Sequence, residues 1–223
     1  MTRVTRVTRV TRRTMTLAAP VAALSLLLTT GAAEADPGDG LYGRLDGDVD
    51  LSLAAGGAVA HDGPVAVALV RALFLGTAGA YATYTDALDA PRDVRRSLSL
   101  GAEVRPLLLP RFGTDRERGP ALLDLTIDSI AFGLGAYTFA TRDAGFSRTP
   151  GLEITTGFDV PLGVDATGLW LGVRGAARWR PSDFAGEAPG AGERGGLLLL
   201  TLGWHQVVAA HLVDAGDRLP RER

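Results

Sequence analysis

The chain has 223 residues with no cysteine and no lysine, so its 23 basic residues are all arginine and stand against 25 acidic ones. The lack of cysteine excludes a disulfide framework, a thiolate metal site and a lipid-modified N-terminal cysteine. A formal charge of −2 gives no reason to expect nucleic acid as a partner.

Residues 1–35 read as a signal peptide. Five arginines lie between Met1 and Arg13, an apolar run follows from Leu17 to Leu28, and Ala33-Glu34-Ala35 forms a small-x-small cleavage pattern. The run is about 12 residues, short of the roughly 20 that a spanning helix needs. Initiation at Met1 or at Met15 leaves the same mature chain. Cleavage removes five arginines and one glutamate, leaving 18 basic and 24 acidic residues and a formal charge of −6. Residues 36–223 then form one domain with a short C-terminal tail.

From Tyr42 to Val59, apolar Leu45, Val49, Leu51, Leu53 and Ala55 alternate with Arg44, Asp46, Asp48, Asp50 and Ser52, which predicts a strand with an acidic inner face. The Asp46-x-Asp48-x-Asp50 string does not make a helical calcium loop, because Leu51 and Gly57 stand where that loop needs glycine and an acid. His61 to Pro64 is turn chemistry. Val65 to Tyr84 reads as a strand carrying Arg71. A helix starting at Pro64 is its rival, and Thr77, Tyr81, Thr83 and Tyr84 favour the strand.

Arg95 to Arg105 alternates Leu98, Leu100, Ala102 and Val104 with Ser97, Ser99, Gly101, Glu103 and Arg105, and Pro106 ends it. After the charged loop Gly113–Gly119, Ala121 to Phe139 reads as a strand that sets Leu123, Leu125 and Ile127 against Asp124, Thr126 and Asp128. Its second half is a wider strand or an inserted bend. Ala140–Pro150 is a polar loop. Leu152, Ile154, Phe158 and Val160 then alternate with Glu153, Thr155, Gly157 and Asp159. Gly168 to Arg180 is the clearest strand, with Leu169, Leu171, Val173, Ala177 and Trp179 on one face and Arg174, Arg178 and Arg180 on the other. Pro181–Gly195 is a Gly/Pro-rich loop, and Gly196 to Val208 a last strand with Leu198, Leu200, Leu202 and Trp204 on one face.

The charged faces together carry Asp46, Asp48, Asp50, Glu103, Asp124, Asp128, Glu153 and Asp159 against Arg44, Arg71, Arg105, Arg174, Arg178 and Arg180. In a small barrel this set pairs across the interior, since a buried charge is tolerated only when paired. A filled lumen is therefore preferred to an ion-selective pore.

No catalytic constellation is present. His61, His205 and His211 are the only candidate bases, no His-x-Ser or zinc-protease motif occurs, and His205 and His211 are roughly 20 Å apart on an extended strand. His205 reads as a lumen hydrogen-bonding residue, with no metal and no cofactor expected.

Strand alternation, strand length and the signal segment make Tyr42 to Val208 resemble the small outer-membrane β-barrel proteins of Gram-negative bacteria. The resemblance implies an all-β, antiparallel transmembrane barrel of eight strands in the outer membrane, in contact with lipid, although only seven runs are visible. With no catalytic constellation, the preferred role is a non-enzymatic structural or surface-interaction one, using Gly113–Gly119, Ala140–Pro150 and Pro181–Gly195 as outer loops. The alternatives are a narrow channel for small polar solutes and a soluble exported lipocalin-like barrel with the uncharged faces turned inward around an apolar ligand. Protein partners are unknown.

Overall fold

The computed structural model describes residues 42–60, 63–88, 94–114, 116, 119–141, 145–184, 195–210 and 212. The signal segment, His61 and His211 lie outside the described residues. Eight antiparallel strands close on themselves in chain order: β1 Val49–Ala60, β2 Gly63–Phe74, β3 Ala78–Ala87, β4 Val94–Val104, β5 Ala131–Thr141, β6 Gly151–Pro161, β7 Gly168–Trp179 and β8 Gly195–Val208. Two short helices, α1 Leu108–Gly113 and α2 Ala121–Asp128, sit between β4 and β5, and α3 Pro181–Phe184 follows β7.

The pairing fixes the barrel's shape. Register partners followed once round from Gly195 are Arg178, Glu153, Gly135, Gly101, Tyr81, Arg71, Ser52 and finally His205. The circuit thus returns to β8 at position 205 instead of 195, a stagger of ten residues. For eight strands with a rise of about 3.3 Å and a spacing of about 4.8 Å, that stagger tilts the strands by about 41° around a radius of about 8 Å. Side chains alone fill an interior of that width.

The eighth strand was hidden inside the run from Val65 to Tyr84. Leu75 and Gly76 take positive φ of 47° and 63°, and the Thr77 N–H donates to the Phe74 carbonyl at 2.9 Å, so a tight reversal separates β2 from β3. Positive φ at both central residues is the hairpin geometry that matches strand twist. The reversal leaves no mark on the periodicity, because the inward positions are odd on both sides of it: Leu69, Arg71 and Leu73 before, Tyr81, Thr83 and Thr85 after.

Two other expectations are corrected. Residues 42–48 form turns, with positive φ at Tyr42 and Gly43, so β1 starts at Val49 and Arg44, Asp46 and Asp48 are not on its inner face. Residues 121–128 are helix, not strand. Eight residues are too few for a period of two to exclude one of 3.6, and Asp124 and Asp128, four apart, share a helical face as readily as a strand face.

Strand direction sorts the connections into two ends. The β2–β3 and β6–β7 turns and the α1–α2 insert lie at the end where β1 begins and β8 finishes, and the other four connections lie at the opposite end. The described parts of Gly113–Gly119 therefore do not share an end with those of Ala140–Pro150 and Pro181–Gly195, while 115, 117, 118, 142–144 and 185–194 lie outside the described residues.

Candidate functional site

The inward positions carry the charge. On β4 these are Ser97, Ser99 and Glu103, on β6 Glu153, Thr155 and Asp159, and on β7 Trp170, Arg174 and Arg178, all buried. The outward positions between them are Leu98, Leu100 and Val104, Ile154 and Phe158, and Leu169, all exposed. The uncharged faces thus point outward, the reverse of what a lipocalin-like barrel needs.

Six charges meet in the half of the lumen nearer the start of β1 and the finish of β8, the terminal end of the barrel. Arg174 grips Glu103 with both terminal nitrogens, at 2.6 and 3.1 Å. Arg71 donates to Asp159 at 2.6 Å and to the Ser52 hydroxyl at 2.8 Å, and lies 3.5 Å from Glu103. Arg105 donates to Asp50 at 3.2 Å and stands 3.7 Å from both Glu103 and Asp159. Three guanidinium groups and three carboxylates cancel, which satisfies the requirement that buried charges be paired. His205 adds a neutral member. Its Nε2 lies 3.0 Å from Arg71 Nη2, and since a guanidinium only donates, Nε2 accepts and Nδ1 carries the proton. Its ring stacks on Trp170 with centroids 4.6 Å apart.

A second balanced set lies further along. Arg178 donates to Glu153 at 2.5 Å and to Ser97 and Ser99 at 2.8 and 2.9 Å, while Ser99 and Tyr81 donate to Glu153 at 2.8 and 3.0 Å. Tyr81 reaches Glu153 across two strands because the inward positions between them, Gly101 and Gly135, are glycines. A Cβ at either would sit 2.7 Å from the tyrosine side chain. The row Arg178, Glu153, Tyr81, Arg71, Ser52 and His205 is therefore the barrel's own staggered line of neighbours, with glycine where the phenol ring passes.

The third set closes the terminal end. Asp124 and Asp128 on α2 pair with Arg111 on α1, and Asp128 also with Arg44. Asp124 further accepts from the Tyr42 hydroxyl at 3.1 Å and the Gly119 N–H at 2.8 Å. Leu125 packs with Tyr42, Ala166 and Trp170 to seal this end. At the opposite end the lumen wall is apolar on one side, where Ala58, Val65, Val67 and Leu199 cluster.

Eleven of the fourteen residues read from the sequence thus meet in three sets, together with Arg111, which lies between the predicted strands and loops and carries no predicted role. Three do not join them. Asp46 is exposed, Asp48 accepts from the N–H groups of Ala210 and Leu212, and Arg180 lies over the Phe139 ring at 4.0 Å near the opposite end. Among the described residues, no group of three or more His, Asp or Glu side chains is arranged to hold a metal ion.

No protein-family model matches the chain, and no curated protein matches it. Among solved structures it is similar to Neisserial surface protein A, with 14% identity, a TM-score of 0.38, and 72% of this chain and 96% of that one covered. It is also similar to Ail, the attachment invasion locus protein of Yersinia pestis, with 9% identity, a TM-score of 0.31, and 71% of this chain and 96% of that one covered. The fold is an eight-stranded antiparallel barrel.

Proposed function

We propose that the chain is an outer-membrane barrel with a filled, charge-balanced lumen and a structural or surface-interaction role, exported by the signal segment read in residues 1–35. The observation that carries this is the inside-out distribution of side chains. Leu98, Leu100, Leu134, Ile154, Leu198, Leu200 and Leu202 are exposed on the outer wall, whereas Arg71, Glu103, Glu153 and Asp159 are enclosed. A soluble monomer does not show an apolar surface that wraps the whole molecule, and lipid contact requires one. Ten strand residues at the tilt above cover roughly 25 Å along the barrel axis, the height of the apolar band on such proteins. The three ion-pair sets across a narrow interior favour filling over conduction. The connections at the end opposite the start of β1, including the described residues 145–150 and 181–184, are then the outward-facing ones.

A membrane fraction washed in alkaline carbonate and run boiled and unboiled on a denaturing gel tests this reading. Retention in the membrane, with faster migration of the unboiled band, is expected. Release into the wash as a soluble species would overturn it.

A further inference from the structure

We propose that the α1–α2 insert lies in the lipid–water boundary at the terminal end of the barrel, with its leucine and phenylalanine side chains among the lipid chains. The proposal rests on the reading of the outer wall as a lipid-facing belt and extends that belt beyond the strands.

A helix on the surface of a soluble protein buries its apolar side and shows its charges. Both helices of the insert also turn charge inward and leave apolar side chains outside. On α1, Leu108 is buried and Arg111 turns toward Asp124 and Asp128, while Leu109 and Phe112 are 60% and 48% exposed. On α2, Asp124 and Asp128 are buried beside Leu125, while Leu122 and Leu123 are 55% and 50% exposed. This is the arrangement of the strands, charge inward and hydrocarbon outward, repeated on helices of six and eight residues.

The chain also joins the two surfaces. Val104, the last residue of β4, and Phe132, the second of β5, are outward and exposed, and Arg105 turns inward directly after Val104. Three residues separate Val104 from α1, and two separate α2 from β5, so the insert leaves and re-enters the wall at the edge of the belt. Helices this short cannot span a bilayer, but they can lie in its plane with their own peptide groups bonded and their apolar side in the acyl boundary. A lipid monolayer is the occupant that fits, because the surface is a continuation of one that already faces lipid.

The chain has no cysteine, so single thiols report cleanly. Leu109→Cys, Phe112→Cys, Leu122→Cys and Leu123→Cys are each made in the full chain, with Leu100→Cys marking the belt and Arg116→Cys the water. Each is labelled with an environment-sensitive fluorophore and reconstituted into vesicles of phosphatidylethanolamine and phosphatidylglycerol. The unboiled gel shift confirms that each variant is folded. Quenching is compared between a nitroxide carried on the lipid chain near the headgroup and a water-soluble nitroxide.

The four insert positions are expected to be quenched at least ~3-fold more strongly by the lipid nitroxide than Arg116→Cys is. If Leu100→Cys is quenched from lipid and the insert positions only from water, the insert is aqueous and this proposal falls while the belt stands. If Leu100→Cys is itself quenched only from water, the belt falls and takes the proposal with it. Insert positions that are water-accessible in vesicles yet shielded in native membranes would point to a protein partner, which also overturns it.

Discussion

The strand-borne and the insert-borne ion pairs use the same chemistry in different settings. Around Arg71, six charges from five strands, with Glu103 and Arg105 both at the end of β4, meet across the barrel, and the side chains of Arg71 and Glu103 are 1% and 0% exposed. Around Arg111, the acids come from a single helix turn, and the Arg111 side chain is 16% exposed. The first set exists only when distant strands hold a common register. The second is mostly local, drawing on Arg44 from the chain before β1. Burial and long sequence separation should therefore make the first set costly to break and the second a cap whose loss the barrel survives.

Removing Arg71 tests the costly side of that contrast. Arg71→Met leaves Asp159 and Glu103 short of a partner in a closed lumen, and a loss of about 3–5 kcal/mol is expected in urea unfolding from lipid vesicles. A loss under about 1 kcal/mol would mean that the six charges are hydrated and not mutually held. Tyr81→Phe is the next step down. It deletes one hydrogen bond to the Glu153 carboxylate, at 3.0 Å, without opening space, so about 1.5–3 kcal/mol is expected by the same measurement. An unchanged midpoint would show that Ser99 and Arg178 already satisfy Glu153. Arg111→Met should cost least, about 1 kcal/mol with the unboiled gel shift retained, because Asp128 keeps Arg44 and Asp124 keeps the Tyr42 hydroxyl and the Gly119 N–H. If it costs as much as Arg71→Met, the insert belongs to the barrel's core and the distinction drawn above fails.

The sequence made the wall far more legible than the closure. In β1, β4, β6, β7 and β8 the alternation is clean because the outer and lumen faces carry opposite chemistry, and it placed Glu103, Glu153, Asp159, Arg174 and Arg178 on the charged face without saying which face is inward. It could not show the β2–β3 reversal, since a three-residue connection returns the chain in phase and Leu75 looks like one more apolar strand residue. It misread α2 because an eight-residue helix with acids four apart satisfies both periods. Nor could it place Tyr81 on Glu153, a contact that depends on the stagger bringing two particular glycines between them. Face is encoded locally, whereas partnership is encoded in the register of strands far apart in the chain.

The join between β1 and β8 has a consequence for how the molecule assembles. Val49 pairs with Val208 and Ser52 with His205, so the seam needs the two extreme strands of the chain to meet. Until they do, Asp50 and Ser52 lie at one edge of an open sheet and His205 at the other, with Arg71 lacking its contact across the gap. Folding should then be slow, governed by the entropy of bringing the ends together, and nearly all-or-none in its final step. A nascent chain ending before Gly195 would hold every arginine and acid that pairs in the finished lumen, yet have no lumen in which to pair them.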